Sequence, residues 1–127
     1  MFRPAILMLI ASAASLLPLH ASAEQTLPYT LSEEDIAAAQ GKILTMLIDP
    51  YSAVFEGIGA AKMLDQRILV CGRVNAKNKF GGYTGVEPYF LMLMPPDYIK
   101  TSSPLLGGAS SPSRAIFDLC KKYNIKF

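Results

Sequence analysis

The amino-acid sequence predicts an α+β protein with one disulfide, in which an N-terminal helix and a C-terminal helix pack on a small, mainly antiparallel, three-stranded sheet. Apolar residues recur at helical spacing near both ends of the chain. Three strand-like segments bounded by turn residues lie between them. The two cysteines fall in the middle strand and in the last helix, where one bridge could join the sheet to the tail.

The first 23 residues have the layout of a secretory signal peptide. Arg3 gives a positive start, residues 5–17 are almost wholly apolar, and Ala21-Ser22-Ala23 is a small-x-small cleavage signal. Cleavage there leaves one globular domain, residues 24–127, with no transmembrane span. The apolar run is shorter than the roughly 20 residues that a spanning helix needs. The alternative is an uncleaved membrane anchor. We expect a periplasmic or secreted protein.

The N-terminal helix is predicted from Thr30 to Asp49. Thr30 and Glu33 have capping-box spacing, and the acidic residues 33–35 suit the positive end of the helix dipole. Asp49-Pro50 ends the helix, because a residue that precedes proline avoids the helical region. The predicted apolar face consists of Ile36, Ala39, Ile43 and Leu47.

Three strands are predicted at residues 54–63, 67–75 and 86–94. The second places Ile68 and Val70 on one face, and Leu69, Cys71 and Val74 near the other. The alternation is imperfect at Gly72, which predicts a bulge there. A turn-rich segment, residues 76–85, connects the second and third strands.

The C-terminal part of the chain is predicted to contain a loop and a helix. Residues 97–111 are rich in Ser, Gly and Pro, which is typical of a mobile loop. The final helix spans residues 112–123, with Ser111 or Ser113 as its N-cap. Lys121 and Lys122 suit its negative C-terminal end.

Cys71 and Cys120 predict a disulfide, because an even cysteine pair in an exported protein indicates one. The bridge would close a loop of about 50 residues, for which the loop-entropy estimate is about 4 kcal/mol. The alternative is two buried free thiols.

The charges are unevenly distributed along the mature chain. Residues 24–66 carry two bases and seven acids, whereas residues 67–127 carry nine bases and three acids. A chain with two oppositely charged halves is more typical of self-complementary surfaces than of nucleic-acid binding, and no nucleic-acid partner is predicted.

Most catalytic and metal chemistries lack their residues. The lone His20 lies in the predicted leader, so neither a Ser-His-Asp triad nor a usual zinc site can form. The glycines of the 76–85 segment match no phosphate-binding loop. We therefore predict no enzyme, no metal and no cofactor. Glycoside hydrolysis by two carboxylates is the remaining alternative. Its candidate residues are Glu56, Asp65, Glu87 and Asp97.

The 70–89 stretch combines basic and aromatic residues that could bind an anionic group or an acidic partner surface. Arginine and tyrosine are enriched at interface hot spots. The alternative is a solvated hairpin tip, in which the glycines and asparagines only satisfy turn geometry. The predicted binding residues are Arg73, Lys77, Lys79, Phe80 and Tyr83.

Three sequence segments resemble a family of small exported proteins and lipoproteins of proteobacteria. They are DPYSAVF at 49–55, VCGRVNAKN at 70–78 and FGGYTG at 80–85, and they fit the family pattern of DPxSAxF followed by CGxVNAKNxxGGYxG. The likeness covers about residues 47–90. Unlike the lipoprotein members, this chain has no cysteine at the leader junction. The resemblance implies export and a domain built around this hairpin, with no catalytic role.

Together these observations predict a non-catalytic exported protein that binds another macromolecule, either a protein or an envelope component. It would act in an envelope assembly or as an inhibitor. The alternatives are a small cell-wall enzyme that uses Glu56 and Glu87, and a secreted effector that acts on another cell.

Overall fold

A computed structural model describes residues 25–127 as five strands and two helices. The predicted signal peptide and its cleavage site lie outside the described residues. No helix of the described part is long and apolar enough to cross a membrane. The strands are β1 (Thr26–Tyr29), β2 (Val54–Met63), β3 (Ile68–Asn75), β4 (Glu87–Leu93) and β5 (Leu105–Leu106), and the helices are α1 (Glu33–Leu44) and α2 (Ser113–Lys122).

The strands form one antiparallel sheet in the order β1-β2-β3-β4-β5. The α+β class and the three central strands are as predicted, but the prediction of a three-stranded sheet is wrong. β1 pairs with only the last four residues of β2, and β5 has only two residues. Both outer strands are too short to show a clear alternating pattern, which is why the sequence does not reveal them.

Each helix covers one face of the sheet. Ala39 and Ile43 of α1 pack in one buried cluster, and Ile116 and Cys120 of α2 pack in the other. Every residue of β3 from Ile68 to Gly72 is buried, because the strand is central and both of its faces are covered.

The regular alternation of β3 continues through Gly72. Val74 shares the α1 side with Ile68 and Val70, so its predicted place beside Cys71 is wrong. The expected bulge also lies elsewhere, since the register shifts in β2 at Gly57, which has φ +56°.

Gly72 is required by the aromatic ring beside it. Tyr89 of β4 is its register partner, and a Cβ on Gly72 would lie 2.2 Å from the Tyr89 hydroxyl oxygen. Tyr89 is fully buried, and burial raises its pKa to about 12. A glycine in the central strand therefore makes room for the largest side chain of the core.

Helix α1 begins later and ends earlier than predicted. Ser32, not Thr30, is the N-cap, and Asp35 completes the capping box by accepting from the Ser32 amide at 3.0 Å. Asp35 is buried and also accepts hydrogen bonds from the hydroxyls of Tyr29 (3.1 Å) and Tyr98 (2.7 Å). These two tyrosine partners, of which Tyr98 is 63 positions away, favour this capping box over the equally spaced one at Thr30.

The predicted disulfide is confirmed. Cys71 and Cys120 are bonded, their Cα atoms lie 6.2 Å apart, and neither residue is exposed. The bond fastens α2 to the central strand. Neither predicted serine caps α2, because Pro112 is the N-cap and no side chain bonds there as a cap.

Candidate functional site

The turn between β3 and β4, residues 76–85, is called the basic-aromatic turn below. It is joined to the short 3-10 segment Pro50–Ser52 by two hydrogen bonds. The Lys77 amide donates to the Ser52 hydroxyl at 2.8 Å, and the Tyr83 hydroxyl donates to the Ser52 carbonyl at 3.0 Å. Ser52 also donates to the Asp49 carbonyl at 2.8 Å. The segment at residues 49–55 and the basic-aromatic turn are therefore in direct contact.

Asn78 and two glycines set the shape of this turn. The Asn78 side-chain oxygen accepts from the backbone amides of Phe80 (2.9 Å) and Gly82 (3.2 Å), and the Asn78 backbone amide donates to the Gly82 carbonyl at 2.8 Å. Gly81 and Gly85 have φ values of +80° and +104°, which other residues rarely adopt. These local bonds fix the backbone of the turn without using the side chains of Lys79 and Phe80, which are exposed.

The exposed surface of the turn pairs cations with aromatic rings. The Lys77 ammonium lies 5.6 Å from the Tyr83 ring centroid, and the Lys79 ammonium lies 5.2 Å from the Phe80 ring centroid. Phe80 is 84% exposed and Tyr83 is 50% exposed. Tyr51 adds a fully exposed aromatic side chain next to Ser52. Tyr51 is not among the binding residues predicted from the sequence, although its place in the DPYSAVF segment is a usable signal.

Arg73 does not join the other predicted binding residues. It lies within β3, opposite Glu56, and is only partly exposed. Its Nη2 atom is 2.9 Å from the position that a Cβ on Gly57 would occupy. The structure thus gathers four of the five predicted residues at the turn, namely Lys77, Lys79, Phe80 and Tyr83.

The carboxylates proposed for the enzymatic alternative are not brought together. Glu56 of β2 lies opposite Arg73, and Glu87 of β4 lies opposite Val74. Arg73 and Val74 are adjacent in β3, so their side chains lie on opposite faces of the sheet. Glu56 and Glu87 therefore start from opposite faces, which is unsuitable for carboxylates that act on one bond.

The other two candidate carboxylates stabilise local turns. Asp65 pairs with Arg67 at 2.7 Å, and its pKa is lowered first by the hydrogen bond from the Arg67 backbone amide. Asp97 accepts from the Ile99 amide at 3.2 Å and pairs with Lys100 at 3.3 Å. Within residues 25–127, no group of three or more His, Cys, Asp or Glu side chains is placed to hold a metal ion.

A cavity of about 320 Å³ lies beside the turn, between the end of α1 and the loop after β5. Its charged lining residues are Lys77 and Glu87. Glu87 accepts a hydrogen bond from the Ser113 hydroxyl at the start of α2. The principal apolar walls are Met46, Leu47, Ile48, Val74 and Leu106.

Comparisons of the chain with protein-family models, with curated proteins and with solved structures give no match.

Replacing Ser52 by alanine is expected to loosen the turn and to lower the free energy of unfolding by about 1 kcal/mol, because the partly buried Lys77 amide loses its acceptor. Urea unfolding and hydrogen exchange at the Lys77 amide measure the two effects. Ser103→Ala is the control, since Ser103 is exposed. Equal stability and equal exchange in the two variants would contradict the anchoring role of Ser52.

Proposed function

We propose that this chain is a non-catalytic exported protein that binds an acidic surface of another protein through its basic-aromatic turn. The observation that carries the proposal is the preorganised turn itself, in which Asn78 and Ser52 hold the backbone while Lys79 and Phe80 are exposed to solvent. Preorganisation favours binding because less conformational entropy is lost when the partner docks.

The charge around the turn favours an acidic partner. Residues 76–85 contain two bases and no acid. Lys77 and Lys79 stand next to aromatic rings, so a carboxylate-rich partner could pair with the ammonium groups while its apolar side chains cover the rings. Phe80 would be the central anchor, because aromatic residues are enriched at the centres of interfaces.

Two features support export. The Cys71–Cys120 bond is compatible with an oxidising compartment, and the sequence before residue 24 has the layout of a signal peptide. The contact between Ser52 and the turn gives a physical reason for the two segments to occur together.

Photo-crosslinking in living cells tests this function. A photoreactive phenylalanine analogue replaces Phe80, and the same analogue replaces Phe117 as the matched control, since Phe117 is also exposed but lies on α2. We expect a recurrent protein adduct from position 80 that is absent from position 117. No adduct from position 80, or the same adducts from both positions, would overturn the proposal.

A further inference from the structure

The cavity beside the turn contains a carboxylate with unused hydrogen-bonding capacity. Glu87 is only partly exposed, and the Ser113 hydroxyl is the one hydrogen-bond donor that the described residues supply to it. No Lys or Arg of this part of the chain forms an ion pair with it. An ionised carboxylate has room for about four hydrogen bonds, so most of this capacity remains for a ligand.

Two glycines allow the loop after β5 to approach this carboxylate closely. A Cβ on Gly107 would lie 2.8 Å from Oε2 of Glu87, and a Cβ on Gly108, whose φ is +74°, would lie 3.5 Å from Oε1. The amides of both glycines already donate to the carbonyls of Pro88 and Ser111. The loop therefore lies close to Glu87, but these two amides donate no hydrogen bond to its carboxylate.

The walls around Glu87 are mostly apolar. Met46, Leu47 and Ile48 belong to the segment that follows α1, and Leu106 belongs to β5. A volume of about 320 Å³ is near the lower end of small-molecule sites, which start at about 300 Å³. An apolar pocket with one unpaired carboxylate complements a cation on an apolar stem, because the stem covers the walls while the cation meets the charge.

We propose that this cavity binds a primary amine on a short apolar chain, with the ammonium group on Glu87. Lys77 also lines the cavity, but its ammonium lies over the Tyr83 ring, 5.6 Å from the centroid. The site does not depend on the partner proposed for the basic-aromatic turn. The amine could be a free small molecule or a lysine side chain, since both present the same ammonium and alkyl stem.

Calorimetric titration of the mature protein tests this site with n-pentylamine, 1-pentanol and Nα-acetyl-lysine N-methylamide. We expect pentylamine to bind at one site per chain and at least tenfold more tightly than pentanol. Glu87→Gln, which keeps an acceptor for Ser113, should weaken pentylamine at least tenfold. Glu56→Gln is the control, because Glu56 is an exposed carboxylate on the other face.

The lysine derivative separates the two ligand sources. Binding comparable to that of pentylamine assigns the site to a lysine side chain, and binding of pentylamine alone assigns it to a free amine. The proposal is overturned if pentylamine binds the unaltered protein no more tightly than pentanol does. This comparison needs no variant, so it remains decisive if Glu87→Gln does not fold. It is also overturned if a folded Glu87→Gln protein binds pentylamine as before.

Discussion

Replacing Cys71 and Cys120 together by alanine is expected to lower the free energy of unfolding by about 4 kcal/mol. The two residues are 49 apart in sequence, and a cross-link over that distance removes a large loop-closure entropy from the unfolded chain. Both side chains are also fully buried, so the variant loses core contacts between β3 and α2 as well.

Urea unfolding of the double variant and of the oxidised parent measures this difference. The parent protein treated with a reductant is the matched control, because it keeps both sulfur atoms but loses the bond. We expect both forms to unfold at markedly lower urea concentration than the oxidised protein. A loss below about 1 kcal/mol in both would contradict the stabilising role assigned to the Cys71–Cys120 bond.

Replacing Asp35 by alanine is expected to cost about 2–4 kcal/mol, which is large for a single polar residue. The change removes the acceptor for the Ser32 amide and leaves the hydroxyls of Tyr29 and Tyr98 without their carboxylate. Thermal and urea unfolding measure the loss. Glu34→Ala is the control, because Glu34 is an exposed acid in the same first turn. Similar losses in the two variants would contradict the account.

The carboxylate of Asp35 also makes the free energy of unfolding depend on pH at acidic pH. Burial raises the pKa of Asp35, but the hydrogen bonds from Tyr98, Ser32 and Tyr29 outweigh it, and the folded pKa lies below the ordinary value. The unfolded chain therefore takes up the proton at a higher pH than the folded protein does. This stabilisation is complete above the unfolded pKa of about 4 and is lost as the pH falls through the folded pKa.

Asp35→Asn isolates this contribution, because asparagine has nearly the same shape and does not titrate. The difference in unfolding free energy between parent and variant should be constant near neutral pH and should shrink below about pH 4. A difference that stays constant down to about pH 2 would contradict the lowered pKa of Asp35.

The sequence predicts the central part of this fold because its signals there are local. β2, β3 and β4 are long enough to show strand patterns, and Cys71 and Cys120 are the two cysteines of a chain predicted to be exported. The outer strands depend on pairing instead. Thr26–Tyr29 contains a proline and is largely exposed, and Leu105–Leu106 lies in a segment rich in Ser, Gly and Pro.

Two competing signals near α1 show why a local pattern can mislead. Thr30 with Glu33 and Ser32 with Asp35 have the same spacing. Asp35 accepts a hydrogen bond from the hydroxyl of Tyr98, which is 63 positions away. That contact cannot be inferred from the residues next to Asp35 in sequence.

The candidate site was predictable to a similar degree. The basic and aromatic residues of the turn follow each other in sequence, and they do lie together. Arg73 is close to these residues in sequence, but it lies within β3, opposite Glu56, and not in the turn. Ser52 is bonded to Lys77 and Tyr83, which lie 25 and 31 positions away in sequence. Such contacts between distant residues cannot be inferred from a local sequence pattern.

The most direct test of the central claim is the yield of the Phe80 crosslink when the charge of the turn is reversed. Lys77→Glu with Lys79→Glu should reduce the adduct at least tenfold, because it places acids against an acidic partner. Lys121→Glu with Lys122→Glu makes the same charge change on exposed residues of α2 and should leave the yield unchanged. Equal yields in both variants would contradict binding through the basic-aromatic turn.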